Sequence, residues 1–272
     1  MAASKNLLAG KRVVVTRAAE QAGDLIRELE ENGAEVLLVP SVTFVEAENK
    51  QALDAAIHSL FRFDWLLLTS QNAVHFFAAR CDELGINLPA LAGAPPSVAA
   101  VGPATADAAR KKGLSVKFVA SRNSGAGLAQ EMSEFLLGKR VLLPRSNRAA
   151  DDLPAALSRA GAQVTDVVAY NTVPVQTPNP AGLEEIRQGR ADVVTFASPS
   201  AFQSFANQLG ENVLRELSGR MVIAAIGPVT AKAIQQAGFT AAIIAEDASA
   251  AGLVTAIVSW NARRAPSGDT TL

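Results

Sequence analysis

The sequence predicts an α/β protein with two similar three-layer domains, each built on a parallel sheet that is covered by helices on both faces. Three observations lead to this class. Short apolar runs alternate with amphipathic stretches, the second half of the chain repeats the first, and the length of 272 residues suits two domains. The order strand, helix, strand is typical of parallel sheets with helices on both sides.

The elements of the first repeat follow from local patterns. Val13 to Thr16 is a β-branched run between polar residues and predicts a buried strand. A helix follows, because apolar residues recur from Ala22 at the spacing i, i+3, i+4 and i+7, and Gly33 stands where a C-terminal cap belongs. Further strands are predicted at Trp65 to Leu68, Val98 to Val101 and Val116 to Val119.

The repeat itself is visible in several segments that keep their order. Lys11-Arg12-Val13-Val14-Val15 recurs 128 positions later as Lys139-Arg140-Val141-Leu142-Leu143, and the same offset relates Gly33-Ala34 to Gly161-Ala162. Later the offset becomes 125, which relates Gly102-Pro103-Ala104-Thr105 to Gly227-Pro228-Val229-Thr230. Self-similarity of this kind predicts two domains of one fold.

Two repeat-related segments, Glu35 to Val45 and Gln163 to Val175, are long for single strands. We interpret them as a two-stranded linker that crosses between the domains. The first domain then contains residues 1–40 and 174–260, and the second contains residues 41–173. Residues 261–272 are polar and carry Pro266 and Gly268, so a disordered tail is expected there.

The bulk composition excludes several classes of protein. A formal net charge of -1 and a pI near 6.2 provide no overall field for nucleic acid or an anionic membrane. No apolar run approaches the ~20 residues of a membrane helix, and the first residues are too few and too polar for a signal peptide. We therefore expect a cytoplasmic protein without a nucleic-acid or membrane partner.

Sites for metals and common cofactors are also missing from the sequence. Cys81 is the only cysteine, and His58 and His75, the only histidines, lack a metal-ligand spacing. There is no Walker loop and no complete Gly-x-Gly-x-x-Gly motif. We expect no metal and no cofactor.

Polar residues follow the predicted strands at their carboxyl ends, the edge where open parallel sheets bind ligands. Many stand where helices begin, so backbone N–H groups and hydroxyls there suit carboxylate or phosphate groups. Each serine could equally be an ordinary helix cap. The residues expected to bind a large polyanionic substrate are Arg17, Thr69, Ser70, Asn72, Gly102, Arg145, Ser146, Ser198, Ser200 and Gly227.

Tyr170 is the only tyrosine and lies on the second long segment. A phenol with a pKa of about 10 is a suitable proton donor at neutral pH. The alternative is an amphipathic strand residue whose hydroxyl is in water.

At these motifs the chain resembles the uroporphyrinogen-III synthases, over about residues 11 to 258. The motifs are V-V-V-T-R at Val13 to Arg17, L-T-S-Q-N-A-V at Leu68 to Val74, A-V-G-P-A-T-A at Ala100 to Ala106, V-V-A-Y-N-T ending at Thr172, F-A-S-P-S-A at Phe196 to Ala201 and A-I-G-P-V-T-A at Ala225 to Ala231. The resemblance implies two flavodoxin-like α/β domains, joined by two strands.

The resemblance also implies an activity. Members cyclise hydroxymethylbilane, a linear tetrapyrrole with eight carboxylates, to uroporphyrinogen III, with loss of water, inversion of ring D and no cofactor. Tyr170 occupies the place of the family's tyrosine, the candidate general acid. Thr105 and Thr230, the other candidate catalytic residues, match threonines with secondary roles in binding or orientation. A monomer is expected, and a transient contact with hydroxymethylbilane synthase is left open.

Two other functions share the expected architecture. A non-catalytic two-domain protein could bind an anionic ligand with the same helix ends, although the order of the motifs argues against it. A small transferase of the nucleotide-sugar kind is a further alternative, but the chain is short for one and lacks a diphosphate motif.

Overall fold

The computed structural model describes residues 6–91, 93–121, 124–176 and 179–264. Its strands are β1 (Arg12–Val15), β2 (Glu35–Leu38), β3 (Val42–Glu46), β4 (Trp65–Leu68), β5 (Ser97–Ala100), β6 (Val116–Val119), β7 (Arg140–Ser146), β8 (Gln163–Pro174), β9 (Val193–Phe196), β10 (Val222–Ala225) and β11 (Ala241–Ile244). Its α-helices are α1 (Ala19–Glu31), α2 (Gln51–His58), α3 (Gln71–Glu83), α4 (Pro103–Lys111), α5 (Gly125–Glu131), α6 (Asp152–Arg159), α7 (Pro180–Arg187), α8 (Pro199–Leu209), α9 (Glu211–Leu217), α10 (Pro228–Gln236) and α11 (Ala250–Arg264). Short 3-10 segments are Leu60–Arg62, Leu88–Leu91 and Ser133–Phe135.

The chain forms two compact units, and unit 1 combines Met1–Thr43 with Val173–Leu272. Its five strands lie in the order β11-β10-β9-β1-β2, and all neighbouring pairs are parallel. On one face Val13 and Val15 pack in a core with side chains of α1 and α11. On the other face Phe196 contacts Phe202 of α8, with ring centroids 5.3 Å apart. Successive residues of a strand therefore pack against the helices on opposite faces of the sheet.

Unit 2 is the continuous stretch Phe44–Thr172. Its six strands lie in the order β3-β8-β7-β4-β5-β6, with β8, β7, β4, β5 and β6 parallel to their neighbours in that series. Leu66 and Leu68 pack with α2 and α3 on one face. Leu67, between them, packs with α5 and α6 on the other. The same three layers are thus formed again.

The repeat found in the sequence maps one sheet onto the other. Offsets of 128 and 125 pair β1 with β7, β2 with β8, β4 with β9, β5 with β10 and β6 with β11. With these pairs the order β11-β10-β9-β1-β2 becomes β6-β5-β4-β7-β8, which is the observed order in unit 2. Each sheet therefore contains the first two strands of one copy and the last three strands of the other, and β3 is a sixth strand in the sheet of unit 2. The predicted fold class is confirmed.

The segments that pass between the units differ from the expectation in one respect. The predicted long segment Glu35 to Val45 is divided into β2 and β3, because Pro40 provides no N–H for a continuous ladder. Its repeat mate β8 is one strand of 12 residues. The chain changes units at Thr43/Phe44 and at Thr172/Val173, within three residues of the boundaries proposed from the sequence.

The expected tail also begins later than proposed. Helix α11 extends to Arg264, so residues 261–264 are helical, and the expectation of disorder is wrong for them. Asn261 donates a hydrogen bond to the backbone oxygen of Leu7, at 2.9 Å, which holds this turn. Residues 265–272 lie outside the described residues.

Two glycines end repeat-related helices in the same way. Gly33 after α1 and Gly161 after α6 have φ of 86° and 87°, the left-handed region that favours glycine. The residue after each glycine donates its N–H back into the helix, Ala34 to Leu29 at 3.1 Å and Ala162 to Leu157 at 3.1 Å. The predicted cap at Gly33 is confirmed.

Replacing Gly252 with alanine is expected to destabilise unit 1 strongly. Gly252 lies in the first turn of α11, where its N–H donates to the Ser249 hydroxyl, at 3.0 Å. A Cβ there would lie 2.2 Å from the backbone oxygen of Asp247, which cannot move without disturbing the cap. We expect a loss of about 2–3 kcal/mol in the free energy of unfolding, measured by urea denaturation. A loss below that of Gly227→Ala would contradict this.

Among the described residues, no helix is both long and apolar enough to cross a membrane.

Candidate functional site

Tyr170 is turned inward by an irregularity in β8. The ladder to β7 pairs Arg145 with Val168 and then Ser146 with Tyr170, so Ala169 is an extra residue. A bulge of this kind re-aims the side chains beyond it. Ala169 and Tyr170 are consequently both buried, although they are consecutive in a strand. The alternative of a hydroxyl in open water does not hold, because Tyr170 is 6% exposed.

The Tyr170 side chain is held between two aromatic rings and two polar groups. Its ring stacks on Phe76, with centroids 5.1 Å apart and planes 11° from parallel, and meets the edge of Phe44 at 5.9 Å. Its hydroxyl lies 3.2 Å from the hydroxyl oxygen of Ser70 and also interacts with Asn72. Burial raises the pKa of Tyr170, and the hydrogen bonds with Ser70 and Asn72 oppose that rise. The phenol therefore keeps its proton at neutral pH.

Serine hydroxyls close several of the helix ends that were candidate anion sites. Ser70, Ser124, Ser198 and Ser249 each accept an N–H from the first turn of the helix that follows, at 3.0–3.2 Å. Their capping role is confirmed. Ser198 also lies 3.1 Å from Ser200, oxygen to oxygen, so these two hydroxyls bind each other. Thr69 is half-buried beside Ser70.

Helices α4 and α10, at the same sheet edges, each begin after a glycine and have no such side-chain cap. Helix α4 begins after Gly102 and α10 after Gly227, and neither glycine can provide an acceptor for the free N–H groups. Proline occupies the first position of both helices, as its lack of an N–H favours. Thr105 and Thr230 lie in these first turns and are 5% and 3% exposed. These two ends can therefore bind an anion with their backbone.

Replacing Gly227 with alanine is expected to weaken substrate binding without a loss of stability. An added Cβ would meet only the Ala248 Cβ, at 3.8 Å, and the extended φ of 177° suits any residue. The methyl group would stand at the open N-terminus of α10. We expect KM to rise about ten-fold, as for one lost charged hydrogen bond, in steady-state kinetics. An unchanged KM would exclude this helix end from the site.

Arg17 follows β1 at the carboxyl edge of the unit 1 sheet and is half-buried. Within the described part of the chain, no residue forms a hydrogen bond or an ion pair with its guanidinium group. Burial lowers the pKa of Arg17, and Asp24 opposes this only through its charge. A desolvated cation without a partner is unfavourable by itself. The geometry leaves this group available for an anion.

Arg145, the repeat mate of Arg17, is instead fully engaged. Its guanidinium group binds Asp166 and Asp151, with nitrogen–oxygen distances of 2.5–2.8 Å, and donates to the backbone oxygens of Ala149 and Ala150. All five N–H groups are thus used, and the side chain is 11% exposed. The substrate-binding role expected for Arg145 does not fit this arrangement, because no donor remains.

The difference between the two arginines follows from their neighbours. Asp166 and Asp151 stand 128 positions after Leu38 and Gly23, so the first copy lacks both carboxylates that hold Arg145. Repeat symmetry alone could not reveal this. A comparison of the positions around each arginine in the sequence could have done so.

Ser146 is also occupied within unit 2. Its hydroxyl lies 2.7 Å from the Thr172 hydroxyl oxygen and accepts the N–H of Arg148 at 3.1 Å. Thr172 in turn donates its N–H to the Asn147 side chain at 2.9 Å. These bonds hold the end of β7 against β8 next to Tyr170. The arrangement indicates a structural role for Ser146 rather than the expected contact with substrate.

The aromatic rings around Tyr170 were not predicted. Phe44 lies on β3 and Phe76 on α3, and both are partly buried and pack against the core that contains Tyr170. In the sequence, each is only one phenylalanine on an element near a candidate site. Phenylalanines in such positions are too common to predict a role. Their role became visible only with the ring geometry.

The cysteine and the two histidines of the sequence occupy ordinary helix positions. Cys81 is fully buried, and burial raises the pKa of its thiol to about 12. His58 and His75 are exposed on helices. Among the described residues, no group of three His, Cys, Asp or Glu side chains could hold a metal ion.

Comparisons with known proteins agree with the motifs. The family model described as uroporphyrinogen-III synthase HemD matches residues 23–255. The chain belongs to the uroporphyrinogen-III synthase family. The uroporphyrinogen-III synthase of Synechococcus elongatus is 29% identical over 93% of this chain and 96% of its own. A chloroplastic relative of that name from Oryza sativa subsp. japonica is 31% identical over 83% of this chain and 72% of its own.

Solved structures of the uroporphyrinogen-III synthase family show the same fold. A mutant uroporphyrinogen III synthase from Thermus thermophilus superimposes with a TM-score of 0.61 at 19% identity, over 93% of this chain and 99% of that one. The enzyme from Helicobacter pylori gives a TM-score of 0.56 at 17% identity, over 92% and 99%. The resemblance found in the sequence is confirmed.

Proposed function

We propose that this chain closes hydroxymethylbilane to uroporphyrinogen III, with loss of water and inversion of ring D. As a member of the uroporphyrinogen-III synthase family, it is a cyclising lyase of porphyrin biosynthesis. The observation that carries the proposed mechanism is the Tyr170 phenol, which is buried, protonated and fixed beside Ser70.

The first step we assign to Tyr170 is departure of the terminal hydroxyl group. The phenol donates its proton to that hydroxyl oxygen, the carbon–oxygen bond breaks, and water leaves. The lone pair of the pyrrole nitrogen replaces the broken bond and gives a protonated azafulvene. Ring D then attacks this carbon through its substituted position, and the bond from that position to its original methylene carbon breaks. The free position of ring D attacks that methylene carbon and loses its proton as the ring regains aromaticity, and the proton returns to the phenolate. One positioned acid typically contributes about 10²–10⁴-fold to such a step.

Ser70 and Asn72 support this acid. Both interact with the Tyr170 hydroxyl, and Ser70 can accept or donate, so it can steady the phenolate that remains after proton transfer. Phe76 and Phe44 restrict the ring itself. Orientation of reacting groups is the main contribution that a protein can make where the pyrrole chemistry is intrinsically easy.

The carboxylates of the substrate are assigned to groups that the fold leaves open. These are the uncapped N-termini of α4 and α10, with Thr105 and Thr230 in their first turns, and the Arg17 guanidinium group. Thr69, Ser198 and Ser200 remain proposed contacts at the same sheet edges. We assign Arg145 and Ser146 to support of the Tyr170 region.

The decisive test is a coupled assay with purified protein. Hydroxymethylbilane is generated in situ, the product is oxidised, and porphyrin isomers I and III are separated. Predominance of isomer III is expected. Isomer I alone, at the spontaneous rate and from folded protein, would reject the synthase and favour a non-catalytic protein that binds an anion.

We propose a cytoplasmic monomer that takes a tetrapyrrole substrate, needs no cofactor and contacts hydroxymethylbilane synthase only transiently. Light scattering during size-exclusion chromatography, with and without that enzyme, measures both the mass of the protein and any complex.

A further inference from the structure

Unit 1 contains a cavity at the edge of its sheet opposite Arg17 and the uncapped end of α10. The cavity has a volume of about 690 Å³ and is lined by residues that precede β1, β9 and β10, among them Lys11, Asp192 and Met221. Arg17, Ser198 and Gly227 follow these same strands at the other edge. A strand of four residues spans about 13 Å, so a ligand at one edge does not occupy the other.

The charges of this cavity are almost all positive. Lys11, Arg215, Arg220 and Arg264 line it, against the single carboxylate of Asp192. Lys11 and Asp192 bind each other at 3.2 Å. Over the ranges that the structure describes, none of the three arginines forms an ion pair. Three arginines therefore line one cavity without a counter-ion among the residues that the structure describes.

Aromatic rings hold two of these arginines in place. The Arg264 guanidinium carbon lies 4.9 Å from the Trp260 ring centroid, and that of Arg215 lies 4.6 Å from the Phe239 centroid. Arg215 also donates to the backbone oxygens of Ala237 and Gly238, at 3.4 Å. Phe239 is buried, whereas Trp260 is half-buried. Trp260 is thus the more accessible of the two rings that line the cavity.

We propose that this cavity binds an organic polyphosphate with a planar base, of the nucleoside triphosphate class. Arginine forks match phosphate oxygens and bind them through charge-assisted hydrogen bonds. The Trp260 ring provides a surface for the base. The volume of the cavity suits a ligand of this size. Because the cavity lies at the sheet edge opposite Arg17 and the uncapped end of α10 within unit 1, the inference does not depend on the proposed reaction.

The repeat provides an internal control for this proposal. The equivalent edge of unit 2 also has a cavity, of about 550 Å³, in which Lys139 and Asp64 replace Lys11 and Asp192. Its charged lining consists of Asp64, Lys117, Glu134 and Lys139, two of each sign, and no arginine. Trp65 lines this cavity as Trp260 lines the other. Only the cavity of unit 1 should bind the anion.

The two tryptophans of the chain make the test specific, because each reports on one cavity. In Trp65→Phe the remaining emission comes from Trp260, and in Trp260→Phe it comes from Trp65. Titration with ATP is expected to change the emission of Trp65→Phe in a saturable, salt-sensitive way, and to leave Trp260→Phe unchanged. Tripolyphosphate, which lacks a base, is expected to bind more weakly than ATP.

Charge variants complete the test. Arg220→Gln in the Trp65→Phe background is expected to weaken ATP binding about ten-fold, as for one lost charged hydrogen bond. Arg159→Gln, an exposed arginine of unit 2 with the same change of charge, should leave affinity unchanged. Absence of a saturable response in Trp65→Phe, or equal affinities in the two arginine variants, would overturn the proposal. Isothermal calorimetry of ATP with the unmodified chain gives a second reading of the same binding.

Discussion

Tyr170→Phe is expected to lower kcat about ten- to a hundred-fold, with a much smaller change in KM. The substitution removes only the hydroxyl group, so the stack on Phe76 and the contact with Phe44 persist. Without the acid, departure of the substrate hydroxyl slows, and more product should form by spontaneous closure to isomer I. The isomer ratio from the coupled assay and single-turnover rates measure both effects.

The control for Tyr170→Phe is the stability of the variant. Loss of the hydrogen bonds to Ser70 and Asn72 should lower the free energy of unfolding by about 1 kcal/mol, which leaves the protein folded in the assay. Ser70→Ala removes one partner of the phenol together with the cap of α3. It should retain more activity than Tyr170→Phe, because the acid itself remains. Unchanged turnover in Tyr170→Phe would end the general-acid assignment.

The pH profile tests the same group. Burial raises the pKa of Tyr170 above its ordinary value of about 10. The phenol is the acid only while protonated, so this contribution is complete at neutral pH and is lost as the pH rises through the folded-state pKa. A basic limb near neutrality must therefore come from another group. Tyr170→Phe should show the same profile as the parent below about pH 9, scaled down by a constant factor.

Arg17→Met and Arg145→Met are expected to have opposite effects on binding and stability. Arg17→Met removes a desolvated cation without a partner, so the free energy of unfolding should stay constant or rise by up to about 1 kcal/mol, while KM rises about ten-fold. Arg145→Met leaves Asp166 without its partner and two carbonyl groups without donors. We expect a loss of about 2–4 kcal/mol.

Urea denaturation and steady-state kinetics separate the two arginines. The matched methionine substitutions keep an aliphatic side chain at both positions, so packing changes little. The weakened binding in Arg17→Met should include a reduced dependence of KM on salt, because a charged contact is lost. Equal destabilisation by the two variants would show that Arg17 has a structural partner after all.

Much of the fold was predictable, because the repeat and the hydrophobic periods of about 2 residues in strands and about 3.6 residues in helices depend only on the order of residues along the chain. Lys11 to Val15 and Lys139 to Leu143 predicted equivalent strands, and their sheets have one strand order. Gly33 predicted the end of α1, since a left-handed residue must follow that helix. The division of the segment from Glu35 to Val45 into two strands was harder to predict, because the effect of Pro40 depends on which strand its neighbours pair with.

The sequence by itself determined the family, the three-layer class and the residues at the carboxyl ends of the strands, since these depend on residue type and order. Only the tertiary structure decided which of those residues are free. Serine at a helix start can cap it or bind a ligand, and Ser198 does the first. Arg17 and Arg145 look equivalent along the chain, yet Asp166 lies beside only one of them. Availability of a polar group depends on neighbours brought from elsewhere in the chain, which local pattern does not contain.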